Sequence, residues 1–205
     1  GLGDVYKRQL PNNGSAPIYI RYSDGSLQKG NGNGWGVFLI EDNFVEKTFL
    51  ATDKRRTELI HKDIYDQTGK LVTPSPVRGY FSAKYVDPDF IGERTSARPF
   101  LIRYSDIALV FAEAAGPDEG LALINEIRRR AGIPELPEGM SLAEFRKAVI
   151  QERALELAFE GNRLYDLRRT ASVTATVPEA TKLSEEQAAF YPIPQRELDL
   201  NPNVK

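Results

Sequence analysis

The sequence predicts a mainly α protein of helical hairpins, with a loop-rich excursion that carries short strands. From Pro99 onward apolar residues recur at steps of three and four, the spacing of one helical face. Upstream, over residues 10–98, the chain is broken by the turn-forming stretches NNGSAP, SDGS, KGNGNGWG and TPSPVRG. Between the first two helical stretches stands the pair Gly116-Pro117, and helices joined by two residues must lie antiparallel.

Taken in order, residues 1–9 (GLGDVYKRQ) have no initiator Met, no apolar h-region and no lipobox Cys. They resemble a translated adapter or assembly scar and are set aside. The chain is therefore expected to be a piece of a longer protein, so the absence of a targeting signal says nothing of location. In residues 10–98, IYIRY at 18–22 and GVFLI at 36–40 read as strands, and a short helical stretch falls near 51–60. This half is expected to pack as loops and short strands on a helical partner, the region 99–205.

In the first helix Phe100, Tyr104, Ile107, Phe111 and Ala114 define an apolar face. Gly116 suits a left-handed C′ position and Pro117 the first turn of the next helix. That second helix carries Leu121, Ile124, Ile127 and Ala131 and ends at Gly132, with Pro134 beyond. A third begins at Ser141, whose hydroxyl can cap while Glu144 reaches back. It is expected to run to about Arg169. From Thr170 the tail is irregular, with a short helix at 184–189. Hairpins of this size are tetratricopeptide-like, but the chain has no 34-residue self-similarity, so shape alone carries that likeness.

Composition excludes several functions. The net charge of -2 across 205 residues leaves no nucleic-acid footprint and no basic attraction to an anionic membrane. With no Cys there is no thiolate chemistry, and the single His61 cannot supply a His-based metal cluster. No cofactor or metal is called for.

The stretch ELAFEGNRLYDLRR, 156–169, poses the sharpest question. In one helix Glu152, Glu156 and Glu160 share a face, with Arg163, Asp166 and Arg169 following at steps of three. An enzyme would use two carboxylates as acid and base. Yet i,i+4 carboxylates on one rod lie only about 6 Å apart and cannot flank a sugar from two sides. Guanidinium groups at adjacent steps instead match each carboxylate with a partner. Arg103, Asp106 and Glu113 show the same habit in the first helix. The reading is a structural ion-pair network, buried only because it is paired.

Four segments in series, RPFLIRYSDIALVFAEAAG, ALINEIRRRAGIPEL, ERALELAFEGNRLYDLRR and FYPIPQRELDLNPN, resemble the C-terminal part of SusD/RagB-type proteins. Fainter echoes are GNGWG at 32–36, DKRR at 53–56 and AKY at 83–85, so the likeness covers about residues 30–203. It implies an all-α lipoprotein on the outer face of a Gram-negative outer membrane, held there by an N-terminal lipid anchor absent from this chain. Such proteins are not enzymes. They lid a SusC-like TonB-dependent transporter and bind oligosaccharides, or in some branches peptides, for import. Alternatives are a helical scaffold for protein partners and, disfavoured by the carboxylate spacing, a polysaccharide-cleaving enzyme. The family's glycan contacts vary with ligand, so no residue transfers by resemblance.

Sugars are recognised by aromatic faces beside polar groups, and loops on a rigid scaffold carry such residues. Trp35, the only Trp, lies among Asn31, Asn33 and three glycines, and Tyr22 adjoins Arg21 and Asp24. Trp35, Tyr22, Asn31, Asn33 and Arg21 are the candidate ligand surface. The competing reading is that Trp35 docks its loop on the helices. Tyr80, Phe81 and Tyr85 are expected in the core.

Overall fold

Two small antiparallel ladders organise the turn-rich upstream region. A computed structural model describes residues 11–14, 16–30, 32, 34–36, 39–89, 97–98, 100–190, 193–201 and 203. The chain divides into compact units at residues 1–159 and 160–205, and the change of composition at 98/99 lies inside the first.

In the first unit β1 (Ile18–Arg21) pairs with β2 (Leu27–Gly30), Ile18 opposite Gly30 and Arg21 opposite Leu27. Alternation along β1 buries Ile18 and Ile20 and turns Tyr19 and Arg21 outward. On the other side of β1, Tyr65 exchanges both backbone hydrogen bonds with Tyr19, at 2.9 and 2.8 Å, and Leu71 bridges to Tyr65 in turn. Ile18, Ile20, Ile64, Phe81 and Ala83 form the core beneath. A second ladder pairs β3 (Ile60–His61) with β4 (Phe81–Ser82).

The helical stretch expected near 51–60 is α2 (Lys54–Leu59), capped by Asp53, whose side chain accepts from the Arg55 N–H. It is preceded by α1 (Asp42–Thr48), which periodicity does not announce because Val45 is its only buried residue. Val45, Phe49, Ile60 and Leu155 make a second apolar cluster. Of the three expected core aromatics, Phe81 and Tyr85 are buried and Tyr80 packs on this cluster from its edge.

Next come α3 (Tyr104–Ala115), α4 (Pro117–Ala131) and α5 (Leu142–Glu156). Gly116 takes φ 84 between α3 and α4, a conformation that favours glycine. Gly132 ends α4 in the left-handed region, and the Gly132 and Ile133 N–H groups donate back to Arg129 and Arg128 carbonyls. Ser141 and Glu144 form the reciprocal cap at the start of α5.

Two expectations fail here. The stripe Phe100, Tyr104, Ile107, Phe111, Ala114 faces outward, while Ser105, Ala108, Leu109 and Ala112 are buried. The reason is close packing through small residues: a Cβ at Gly120 of α4 would lie 2.7 Å from the Ala112 Cα. A long apolar side chain could not enter that contact. The third helix, moreover, does not run to Arg169. It stops at Glu156, and Phe159 and Gly161 then adopt φ 68 and φ 82, which no right-handed helix passes through.

The second unit contains α6 (Arg163–Arg169), α7 (Val173–Thr176), a 3₁₀ turn (Pro178–Lys182), α8 (Glu185–Ala189) and α9 (Gln195–Leu200). Leu167, Val173, Ala180 and Ala188 form its core. The short helix read at 184–189 is α8, with Ser184 and Gln187 capping each other.

Candidate functional site

Glu152 and Glu156, one turn apart on α5, enter a buried ionic cluster whose other members come from distant elements. The Arg55 Nη1 lies 2.5 Å from the Glu152 carboxylate and 3.2 Å from that of Glu156, while its Nη2 holds Asp53 at 2.7 Å. Arg128 donates to the second Glu152 oxygen at 2.7 Å, and Arg103 and Arg130 both reach Glu156, at 2.7 and 2.5 Å. Arg153 pairs with Asp106 at 2.7 Å. Burial alone would raise the Glu156 pKa, but the hydrogen bonds and charges of Arg103 and Arg130 reverse this and hold it down to about 2. The Arg55 guanidinium loses by burial, yet Asp53 and Glu152 more than compensate and its pKa is raised.

The cluster also closes the end of α5. Its last carbonyls lack intrahelical donors, and cations suit that end of the helix dipole. The Lys84 ammonium donates to the Glu156 and Ala158 carbonyls at 2.8 and 2.9 Å, and Arg103 donates to Glu156 O at 2.8 Å.

Of the residues read as ion pairs, Arg103, Asp106, Glu152, Glu156 and Asp166 have ionic partners among the described residues. Glu152, Glu156, Arg103 and Asp106 pair between elements, not along their own helices. Glu160 falls beyond the end of α5 and leaves the face shared by Glu152 and Glu156. On α6, Arg169 donates to Asp166 at 3.0 and 2.8 Å, and burial lowers the Arg163 pKa with Asp166 opposing. The Glu113 carbonyl accepts from Arg146 at 3.3 Å. Arg55 and Lys84 escaped notice as partners, since helical spacing cannot reveal a contact 97 residues away. The available signal was the pair of faint echoes, DKRR and AKY, that contain them.

The candidate ligand surface is split by the fold. Trp35 is 47% exposed at the end of a loop held by backbone contacts, Asn13 N–H to Gly32 O at 2.7 Å and Gly34 N–H to Pro11 O at 3.1 Å. Position 32 requires glycine, because a Cβ there would stand 1.7 Å from the Ala16 carbonyl oxygen. Asn31 and Asn33 lie outside the described residues. Arg21 and Tyr22, adjacent in sequence, turn opposite ways. Tyr22 packs on the inner core, donates its hydroxyl to Gln28 Oε1 and sets its edge against His61 at 5.9 Å. Burial, then the Glu58 charge, raises its pKa. Arg21 instead lies 4.2 Å over the Tyr65 ring and donates to the Gly69 carbonyl. Tyr65 is a ring that sequence adjacency could not offer.

The chain is similar in sequence and fold to known proteins. SusD-like protein P2 of Formosa agariphila is 34% identical over 162 residues, covering 67% of this chain and 32% of the relative. The chain therefore spans about a third of that relative's length. A SusD homolog from Bacteroides thetaiotaomicron, solved as a crystal structure, superposes with a TM-score of 0.59 at 28% identity, over 75% of this chain and 40% of the homolog. A laminarin-binding SusD-like protein, 22% identical, matches the fold with a TM-score of 0.62 over 95% of this chain and 42% of its own. The sequence model of the SusD family matches residues 64–205, which hold the α3–α5 helices with Glu152 and Glu156, and the chain belongs to that family.

Proposed function

We propose that this protein is a non-catalytic glycan-binding component of nutrient uptake. It presents oligosaccharides to a SusC-like TonB-dependent transporter at the extracellular face of the outer membrane, where the full-length form is lipid-anchored. The observation that carries the reading is Trp35: a half-exposed indole at the end of a loop pinned by a glycine that nothing can replace. An indole with about half of its surface exposed has apolar area to offer the C–H face of a sugar. The laminarin-binding relative lends support as a protein of the same fold with a glycan ligand. The carboxylates agree. Glu156, held at about 2 by its guanidinium partners, is far from the near-neutral pKa that a general acid needs.

Calorimetric titration with β-1,3-gluco-oligosaccharides, beside thermal melts, tests this. Trp35→Ala should weaken binding by about 1–3 kcal/mol, the range for a lost aromatic anchor, with the melt unchanged. Unchanged affinity, or a loss that tracks a lowered melt, would return Trp35 to a packing role. Incubation with the same glycans should release no reducing ends above a heat-killed control.

A further inference from the structure

The strand register upstream assembles an outer face distinct from the Trp35 loop. Lys29 pairs with Tyr19, Tyr19 with Tyr65, and Tyr65 with Leu71, so one row of side chains crosses four extended segments. Direct cross-strand partners share a face, and this face is the outer one, because Ile18, Ile20 and Ile64 are buried behind it. Leu27 and Arg21 form the adjoining row. At about 4.8 Å between strands, Lys29 to Tyr65 spans about 10 Å, room for more than one sugar ring. These six side chains include two rings, two cations and no carboxylate. Arg21 is pre-oriented by its stack on Tyr65 and its bond to Gly69 O. Two of the nearby acidic groups are held in turns and do not reach into the row: Asp24 accepts from the Ser26 N–H at 2.8 Å, and Asp66 accepts from Thr68 and Lys70.

Resting on the glycan-binding reading above, we propose that this face selects an acidic oligosaccharide, one bearing uronate carboxylates or sulfate esters. Tyr19 offers its ring to the sugar, while Tyr65 lies under the Arg21 guanidinium and fixes its place. The Arg21 fork can hold an anionic group in two parallel hydrogen bonds, and Lys29 supplies a point charge one row away.

Three probes test it by titration: an oligouronate, a sulfated galactan oligosaccharide and a neutral β-1,3-gluco-oligosaccharide. At about 0.01 M salt an acidic probe should bind about tenfold more tightly than the neutral one. The preference should vanish near 1 M, where the screening length falls from about 30 to about 3 Å. Arg21→Gln combined with Lys29→Gln should bring acidic affinity down to the neutral level, with melts unchanged. Lys29→Gln alone, a change at an exposed side chain, should remove part of the preference, and Arg21→Lys should keep charge but lose the fork. Which acidic probe binds assigns the anion. Equal affinity for neutral and acidic probes, untouched by these variants, overturns the inference and leaves the glycan-binding reading standing. If none of the three probes binds, both fall.

Discussion

Arg55 stands two residues from Asp53, and 97 and 101 positions from Glu152 and Glu156, yet its single guanidinium bonds all three carboxylates. A planar fork with five donors can do this, whereas an ammonium, a compact point charge, cannot match the geometry. Glu152 has no exposed surface, so without Arg55 one of its oxygens would be buried unpaired. Arg55→Ala is therefore expected to cost about 3–5 kcal/mol, and Arg55→Lys should recover little of it. Denaturant unfolding of the two variants checks this. A loss below about 1 kcal/mol would mean that water reaches the carboxylates, as at a surface pair.

At the scale of the element, α3 is apolar on nearly every side. Its small face, Ala108 and Ala112 with Ser105, packs against α4, while Tyr104, Ile107 and Phe111 stand 62%, 53% and 47% exposed. A helix apolar all round belongs in the interior of a helical array, and contiguous exposed apolar surface of this kind marks a place of association. The 205-residue chain should accordingly bind a hydrophobic fluorescent dye. Ile107→Lys with Phe111→Lys should cut that signal severalfold and leave the melting temperature within a few degrees of the parent. A large drop in melting temperature would instead place those side chains within the fold's own core.

For the whole molecule, the ionic cluster predicts the form of acid denaturation. The Glu156 pKa is lowered from 4.5 to about 2 in the folded state. Its contribution is present in full above the unfolded value and is lost as pH falls through the folded one. The unfolded state binds the proton first, so stability should decline between about pH 5 and about pH 2. That limb amounts to about 3 kcal/mol. Glu156→Gln should be less stable at neutral pH and should show a shallower acid limb. Parallel acid limbs in the two proteins would mean that other carboxylates carry the linkage.

What the sequence determined by itself was local. The caps at Ser141 and Ser184, the stop at Gly132, the buried stripe of α4 and the Gly116-Pro117 reversal all depend on residues a few positions apart, and periodicity and capping chemistry act at that range. Glycine-rich spacing likewise marked the loop that presents Trp35. The tertiary structure decided which faces met and which charges paired. Nothing local says that α3 buries its alanines in preference to its larger apolar residues, because the choice depends on the close approach of Gly120. Nothing local ends α5 at Glu156, where donors from Lys84 and Arg103 take up its carbonyls. Arg21 meets Tyr65 and not Tyr22 because a strand alternates its side chains, and only the register of a distant segment supplies the facing ring. Long-range pairing of this kind depends on the closed geometry of the folded chain, which composition and spacing do not encode.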